Sequence, residues 1–304
     1  MAMKYTIIEG DNRLTLKTLE DDSVDSIVTD PPYGIDFLGE AWDANTGALE
    51  TYRECLRVLK PGGYILAFSA ARTYHHLAVT LERAGFEIRD QLMWLYASGF
   101  PKAIGVKGHD GWKTALKPAH EPIAMARKPF KGSTIDNMNT WGVGALNIDA
   151  SRVGSEAKFP SNVLGAVEGY QKFYYCPKVS RKERHIGFDL NTIPTDPSGK
   201  FDRTQEQQLN ANERIQNLPG NNHPTVKPVE LMKYLIRLVT PSNGVVLDPF
   251  AGSGSTGMAA VELEHTFIGC ELDPAYVEIA KKRIEAWNTT EYDNTFAELF
   301  DEGQ

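Results

Sequence analysis

The chain has 304 residues, of which 41% are hydrophobic and 24% are charged, and its formal net charge is −8. This length allows one large domain or a core with a sizeable insertion, and the composition excludes a disordered or fibrous protein. Because no apolar run approaches the roughly 20 residues that cross a bilayer, and the start lacks the pattern of a signal peptide, we expect a cytoplasmic protein with no membrane partner.

The first third of the chain alternates between predicted strands and helices. Short apolar runs predict strands at 5–11, 24–34 and 64–70 and one or two strands at 86–96, and apolar residues at helical spacing predict helices at 46–59 and 72–84. The Pro-Gly-Gly stretch at 61–63 is expected to end the first helix, and Gly85 the second. This alternation predicts a parallel sheet covered on both faces.

The pattern changes between about residues 99 and 220, where glycines, prolines, lysines and isolated aromatic residues show little periodicity. A strand at 116–129 still fits the sheet, and we predict that residues 129–218 form an inserted, loop-rich module. Residues 101–184 carry fourteen Lys or Arg against seven Asp or Glu, a local net charge of +7. Such a segment can attract a phosphate backbone, although a lysine-rich surface that only faces water has the same composition.

Strands and helices alternate again near the carboxyl terminus. We predict helices at 228–239, 254–264 and 274–287, and strands at 244–250 and 265–272. The chain is thereby divided into four parts: a first core segment (1–128), the insertion (129–218), a second core segment (219–288) and an acidic tail (289–304). The tail is expected to be a solvated terminus. The predicted fold class is α/β with a mostly parallel sheet.

A glycine-rich turn joins the strand at 244–250 to the helix that follows. Its segment LDPFAGSGSTG (247–257) has GxGxxG spacing, which lets the main chain approach a ligand, and Glu271 at the end of the next strand can accept hydrogen bonds from ribose hydroxyls. A dinucleotide would bring its pyrophosphate near Asp248, which would repel it. The turn therefore favours S-adenosylmethionine, which has no phosphate, with a dinucleotide or a purely structural turn as alternatives.

The strongest chemical signal is the run Asp30, Pro31, Pro32 and Tyr33, at the end of a predicted strand where open α/β sheets bind ligands. The exocyclic amino group of a nucleobase is a poor nucleophile, because its lone pair is delocalised into the ring. Two acceptors that hold its two hydrogens can turn the lone pair toward an electrophilic methyl group. We predict that the Asp30 carboxylate and the Pro31 carbonyl are these acceptors and that Tyr33 stacks on the base. A simple proline turn is the structural alternative.

Five motifs follow one another along the chain: Gly10-Asp11, Asp-Pro-Pro-Tyr at 30–33, His-Glu-Pro-Ile at 120–123, His-Pro-Thr-Val-Lys-Pro at 223–228 and the glycine turn DPFAGSGST. In these motifs the chain resembles the amino-methylating DNA methyltransferases of restriction–modification systems and phages. It is similar to their permuted, beta-type class, in which the catalytic motif precedes the cofactor loop. The resemblance implies a Rossmann-like methyltransferase fold with a seven-stranded type of sheet, helices on both faces, and target recognition by the insertion.

The resemblance also implies roles for individual residues. Residues 30–33 would be catalytic, and the cofactor would be S-adenosylmethionine. Asp11 would lie near the adenine of the cofactor and Glu271 at its ribose. Thr225 and Lys227 would close over its methionine end. The full set of implied cofactor contacts is Asp11, Thr225, Lys227, Asp248, Phe250, Ala251, Gly252, Ser253, Gly254 and Glu271.

The first residue of the catalytic motif bears on the choice of base. Family members with Asp there are mostly N6-adenine enzymes and those with Ser more often N4-cytosine enzymes, so Asp30 favours adenine. Reaching a base in a duplex requires extruding it, at a cost of a few kcal/mol. An N4-cytosine enzyme is the near alternative. More distant ones are an RNA or protein-glutamine methyltransferase and an inactive DNA-binding module.

Double-stranded DNA is the predicted partner, and we expect it to bind the central basic segment. Aromatic residues alternate with Lys and Arg over 170–185, which suits stacking and phosphate contact, although the aromatic part also fits a core strand. Phosphate contacts are predicted for Arg127, Lys128, Lys131, Lys178, Arg181, Lys182 and Arg184. A homodimer and a cognate restriction endonuclease stay open as further partners.

No disulfide framework or metal centre is expected. The three cysteines, Cys55, Cys176 and Cys270, are odd in number and lack CxxC spacing, so we expect them to be reduced. His75 and His76 are adjacent in a predicted helix and point to different faces, which is poor geometry for metal ligands.

Overall fold

A computed structural model describes residues 4–35, 45–96, 103–154, 157–165, 178–193 and 220–289. Within these segments one sheet contains β1 (Tyr5–Glu9), β2 (Val24–Thr29), β3 (Leu59–Phe68), β4 (Glu87–Leu95), β5 (His120–Arg127), β6 (Val163–Leu164), β7 (Val245–Asp248) and β8 (Thr266–Glu271). The α-helices of the same segments are α1 (Asn12–Thr15), α2 (Leu49–Val58), α3 (Tyr74–Ala84), α4 (Thr134–Trp141), α5 (Arg181–Arg184), α6 (Val229–Val239), α7 (Ser255–Glu262) and α8 (Pro274–Thr289). Short 3-10 helices lie at Leu16–Thr18, Asp149–Ser151 and Leu190–Thr192.

Among the described residues, the strands of the sheet run in one direction, except for β5. Their order is β1-β8-β7-β2-β3-β5-β4-β6. β5 is antiparallel to β3 and β4, and the other neighbouring pairs are parallel. The carboxyl ends of β2, β7 and β8 therefore meet at one edge of the sheet, which we term the carboxyl edge. Open α/β sheets bind their ligands at this edge.

Helices cover both faces of the sheet, as the complete burial of β2 shows. All six residues of β2 are buried. Ile27 belongs to a core cluster with side chains of α2 and α3, whereas Val28 belongs to a second cluster with α6, α7 and α8. Successive residues of a strand point to opposite faces, so a doubly covered parallel strand needs apolar residues on both. The predicted α/β class with helices on both faces is confirmed.

The Pro-Gly-Gly stretch at 61–63 differs from the predicted turn. α2 ends at Val58, and residues 61–63 lie inside β3. The Gly62 amide donates to the Lys128 carbonyl at 3.0 Å, and the Lys128 amide donates to the Gly63 carbonyl at 2.9 Å. The register between β3 and β2 shifts at the same place, which is typical of a β-bulge. Pairing with the neighbouring chain thus outweighs the local turn signal.

The described parts of residues 129–218 pack against the sheet. β6 pairs with β4 and is an eighth strand where seven were expected. α4 is attached through Asn137, whose amide donates to the carbonyls of Pro61 (2.8 Å) and Val143 (2.6 Å). The aromatic part of 170–185 lies outside the described residues, as does most of the acidic tail, so the division into core, insertion and tail stays a prediction. None of the described helices is long and apolar enough to cross a membrane.

Candidate active site

The motifs predicted for catalysis and for cofactor binding leave neighbouring strands at the carboxyl edge. β2 and β7 are paired in parallel. At their ends, the Thr29 hydroxyl donates to Asp248 Oδ1 at 2.7 Å. Residues 30–33 follow Thr29 and residues 249–254 follow Asp248. The two motifs therefore lie side by side.

Asp248 holds the glycine turn from inside the fold. Only 2% of the residue is exposed. Its carboxylate accepts hydrogen bonds from the hydroxyl of Thr29 (2.7 Å), the amide of Phe250 (3.0 Å) and the hydroxyl of Thr256 (2.6 Å). Burial raises the pKa of Asp248 to about 6, against the effect of these donors. The contacts indicate that Asp248 positions the turn, whereas the resemblance assigns it to the cofactor itself.

Asp248→Ala should lower the free energy of unfolding by about 3 kcal/mol or more. Three donors lose their buried acceptor at once, and each unsatisfied group costs about 1–3 kcal/mol. Urea unfolding followed by circular dichroism measures this change. Asp248→Asn is the matched control, because it keeps one acceptor oxygen and should lose less. Wild-type stability in Asp248→Ala would contradict the positioning role.

Gly252 and Gly254 shape a turn that strongly favours glycine. Both have a left-handed backbone, with φ of +51° and +82°. A Cβ on Gly252 would lie 2.9 Å from Nε2 of His223, and a Cβ on Gly254 would lie 3.0 Å from the Cβ of Ala280. Phe250 opens the turn and is partly buried. The main chain of the turn is therefore closely packed and carries no side chain at these two positions.

Glu271 ends β8 beside this turn. Its carboxylate accepts hydrogen bonds from the amides of Gly252 (2.8 Å) and Asp273 (2.9 Å), and burial raises its pKa. The remaining lone pairs can accept two neighbouring hydroxyls, as a ribose provides. The Gly10 amide donates to the Glu271 carbonyl at 2.8 Å, which brings Asp11 to the same part of the edge. This donor set fits a nucleoside cofactor.

The other residues predicted around the turn differ in exposure. Asp11 caps α1 and pairs with Arg13, whose hydrogen bonds hold the pKa of Asp11 below its usual value. Ala251 and Ser253 are buried. The carbonyl and hydroxyl oxygens of Ser253 accept hydrogen bonds from Arg283, at 2.5 and 3.0 Å. Ala251 and Ser253 thus support the turn from within, while the Asp11 side chain remains partly accessible.

Four polar side chains, Asp30, Tyr33, Glu121 and Lys227, form what we call the acid–lysine cluster. Asp30 accepts from Lys227 Nζ at 2.5 Å and from the Tyr33 hydroxyl at 2.8 Å. The Tyr33 oxygen lies 3.0 Å from Glu121 Oε2 and accepts from Lys227 Nζ at 3.0 Å. Lys227 Nζ is also 3.4 Å from Glu121 Oε2. The exposed fraction of the side chain is 19% for Asp30, 16% for Glu121 and 8% for Lys227.

Lys227 favours the ionised form of Asp30. Burial, with Glu121 acting in the same direction, raises the pKa of Asp30 above its usual value, and the Lys227 ammonium limits this rise. Burial lowers the pKa of Lys227, but the Asp30 and Glu121 carboxylates outweigh burial and raise it above its usual value. Lys227 is therefore protonated. An ionised Asp30 accepts on both oxygens, and each oxygen keeps a second lone pair for a substrate hydrogen.

The His-Pro-Thr-Val-Lys-Pro segment links the two motifs. His223 packs over Gly252, and its Nδ1 lies 2.5 Å from the Thr225 carbonyl oxygen. Burial lowers the pKa of His223 to about 4, so its ring is neutral at pH 7. Farther along the segment, Lys227 reaches Asp30. The resemblance assigns Lys227 to the cofactor, and the structure places its ammonium group on the predicted catalytic acid.

Three residues of the site have no role in the sequence prediction. Glu121 lies in the His-Glu-Pro-Ile motif, which marks it, but its contact with Tyr33 spans 88 positions. Asn12 donates to the Pro249 carbonyl at 2.9 Å, and Arg283 is wholly buried beneath the glycine turn. Neither Asn12 nor Arg283 lies in one of the five motifs, so only the folded chain shows their contacts.

Several residues predicted to bind phosphate are engaged within the fold. Arg127 and Lys128 each pair with a carboxylate, at 2.9 and 2.6 Å. Arg184 donates to the His223 carbonyl at 2.9 Å, and burial lowers its pKa. Arg181 donates to main-chain carbonyls. Lys178 Nζ lies 4.2 Å from the centre of the Tyr96 ring, and Lys131, Lys178, Arg181 and Lys182 are all exposed. DNA contact by any of the seven stays a prediction.

The chain is similar to known proteins over most of its length. A sequence model described as DNA methylase matches residues 24–282. The type II methyltransferase M.HindIII of Haemophilus influenzae is 27% identical over 340 aligned residues, which cover 91% of this chain and 94% of that protein. The DNA adenine methyltransferase YhdJ of Escherichia coli is 29% identical over 287 residues, which cover 92% of this chain and 82% of that protein.

Solved structures share the fold. The PvuII DNA methyltransferase, described as cytosine-N4-specific, matches with a TM-score of 0.61 at 17% identity and covers 98% of this chain and 91% of its own. The M1.HpyAVI–SAM complex matches with a TM-score of 0.52 at 22% identity and covers 92% of this chain and 99% of its own. Since the family match covers far more than half of its residues, this chain belongs to the DNA methylase family.

Proposed function

We propose that this protein transfers a methyl group from S-adenosylmethionine to N6 of adenine in duplex DNA. The observation that carries the proposal is the position of Asp30, which follows β2 beside the glycine turn and accepts a hydrogen bond from Lys227, whose ammonium favours the ionised carboxylate. Membership of the DNA methylase family supports DNA as the substrate, and the relative named as an adenine methyltransferase supports adenine. N4-cytosine is the second candidate, because the cytosine-N4-specific neighbour has the same fold.

In the proposed mechanism Asp30 and Pro31 hold the amino group of the extruded base. The Asp30 carboxylate accepts one N–H and the Pro31 carbonyl the other, which turns the nitrogen lone pair out of the ring plane. The cofactor supplies an electrophilic methyl carbon on its sulfonium. The amino nitrogen held by Asp30 and Pro31 would accept this methyl group, the rest of the cofactor would leave as a neutral thioether, and the Asp30 carboxylate would take the proton that the nitrogen loses.

Tyr33 supplies the stacking surface for the base. Its hydroxyl is held by Asp30, Glu121 and Lys227, so the orientation of the ring is set before a base enters. Stacking of a base on an aromatic ring is worth about 1–3 kcal/mol, which offsets part of the cost of extrusion. Pro32 restricts φ to about −65° between the acceptors and this ring.

We propose that the glycine turn and Glu271 hold the cofactor, with Asp11 at its adenine end. Phe250 would contact it from the start of the turn, and Thr225 would cover its methionine end. Gly252 and Gly254 would allow its close approach to the main chain. Support of the turn, without direct contact, is proposed for Asp248, Ala251 and Ser253.

The insertion is proposed to read the target sequence. It spans 129–218, between the core segments 1–128 and 219–288, and the acidic tail is 289–304. We place the protein in the cytoplasm, where its DNA substrate lies. A homodimer and a cognate restriction endonuclease remain open partners, to be tested by sedimentation and by the genes that accompany this one.

Expression in a bacterial strain without DNA methylation, followed by long-read modification mapping, tests the proposal. We expect N6-methyladenine at one position of a short recurring sequence. Asp30→Ala, expressed to the same level, is the control and should leave the DNA unmodified. N4-methylcytosine in place of N6-methyladenine would support the second candidate. Unmodified DNA in the presence of folded wild-type protein would contradict DNA methylation.

A further inference from the structure

A hairpin between β4 and β5 stands out from the rest of the described chain by its exposure. Every residue from 104 to 119 is exposed. The Val106 amide donates to the Trp112 carbonyl at 3.1 Å, and the Thr114 amide donates to the Ile104 carbonyl at 3.0 Å. Ile104 and Trp112 are each 72% exposed and Leu116 is 91% exposed. We call residues 103–117 the exposed hairpin.

The exposed hairpin projects from the carboxyl edge, next to the acid–lysine cluster. The last pair between β4 and β5 is Leu95 with His120, and beyond it the Tyr96 amide donates to the Ala119 carbonyl at 3.0 Å. The residue after His120 is Glu121, whose carboxylate contacts the Tyr33 hydroxyl. The base of the hairpin, at Ala119, is therefore two residues from Glu121 of the acid–lysine cluster.

The exposed hairpin has no buried face that would account for its apolar residues. Its tip contains Gly108 and Gly111, each with φ of +82°, so the shape of the tip is set by left-handed glycines of the turn. A two-stranded hairpin without further packing is marginally stable in water. Large apolar side chains that cluster on an exposed element mark an interaction surface. Trp112 and Leu116 would therefore gain most from a partner.

The charge of the exposed hairpin favours a polyanion as that partner. The hairpin contains three lysines, Lys107, Lys113 and Lys117, and one acid, Asp110. Its net charge is therefore +2, although the chain as a whole is acidic. A two-stranded ribbon is narrow enough to enter the major groove of B-DNA, and lysines beside it can reach phosphates. The exposed hairpin lies within the basic segment 101–184 but outside the predicted recognition module at 129–218.

We propose that the exposed hairpin is a DNA-contact element that grips the duplex beside the extruded base, with Lys107 and Lys113 on phosphates and Trp112 against the groove. This inference rests on the proposed function, because it takes the DNA substrate as given. It adds a second DNA-binding surface at the catalytic edge, on the opposite side of β5 in sequence from the insertion.

The test of the lysines is the salt dependence of DNA binding. Lys107→Glu combined with Lys113→Glu should weaken binding to a short, unmethylated fluorescent duplex and reduce the slope of log K against log salt by about 2, since each lost phosphate contact removes about 0.9. The control is Lys4→Glu combined with Arg89→Glu, two exposed residues at the opposite edge of the sheet. The control should keep the wild-type slope.

Trp112→Ala tests the apolar part of the surface. The expected result is a loss of about tenfold in kcat/KM for DNA, with the melting temperature and the KM for S-adenosylmethionine unchanged. Val79→Ala, at a half-exposed position on α3, is the control and should leave kcat/KM unchanged.

The outcomes separate the inference from the proposed function. If wild type methylates DNA and the hairpin variants bind and methylate as wild type does, the inference is overturned and the function stands. A surface that serves a protein partner instead would give this same result. If wild type methylates no DNA while the hairpin variants lose DNA affinity, the methylation proposal fails and DNA contact by the hairpin is supported. Absence of DNA binding by wild type overturns both.

Discussion

In Asp30→Ala, methyl transfer should fall by about 10²–10³-fold or more while cofactor binding stays within a few fold of wild type. The substitution removes the acceptor that orients the amino group and takes its proton, which is stabilisation specific to the transition state. The glycine turn and Glu271, which are proposed to bind the cofactor, keep their own hydrogen bonds. Transfer of a radioactive methyl group to DNA measures the first quantity, and titration calorimetry the second.

The fold should survive this substitution. Lys227 retains the Tyr33 hydroxyl at 3.0 Å and Glu121 at 3.4 Å, so its charge is still compensated. Asp30→Asn is the matched control: it keeps one acceptor oxygen but loses the charge, and its rate should lie between those of wild type and Asp30→Ala. Full activity in folded Asp30→Ala would refute the assigned mechanism.

Lys227→Gln should lower activity by about tenfold or more, which corresponds to about 1.4 kcal/mol of lost stabilisation, and should move the acid limb of the pH–rate profile to higher pH. The Asp30 carboxylate contacts Lys227 and Tyr33. Two further carboxylates interact with it electrostatically, Glu121 on β5 and Asp248 on β7. Lys227 is the cation among them. Without it, burial and the neighbouring carboxylates raise the pKa of Asp30 further, so the carboxylate forms only at higher pH. The profile of kcat/KM between acid and neutral pH measures the shift.

Glu121→Gln should have the opposite effect on the acid limb. Glu121 raises the pKa of Asp30, so its neutralisation lets Asp30 ionise at lower pH, and the limb moves down. A purely structural disturbance would lower activity in both variants without shifting the limb in opposite directions. Lys227→Arg keeps the positive charge and should keep the wild-type limb. An unshifted limb in both Gln variants would show that neither charge sets the ionisation of Asp30.

The glycine turn and the proline-rich turn at residues 30–33 could be located from local sequence. Glycines at GxGxxG spacing after an apolar strand indicate a left-handed turn, and the structure has φ of +51° at Gly252 and +82° at Gly254. Alternation of strands and helices predicted the parallel sheet, and from it the meeting of residues 30–33 with the glycine turn at one edge. The glycine turn is set by a few consecutive residues, and the meeting at one edge follows because parallel strands joined by helices all end at the same edge of the sheet.

The charge balance of the site, by contrast, depends on contacts between distant parts of the chain. Lys227 and Asp30 are 197 positions apart, and no motif spacing indicates that they pair. The same holds for Lys128 and Arg184. The basic composition of their segment suggested phosphate binding, but their charged groups are engaged inside the fold. Periodicity reports the burial of a position, whereas the partner of a charged group is decided by which strands and loops become neighbours when the sheet forms.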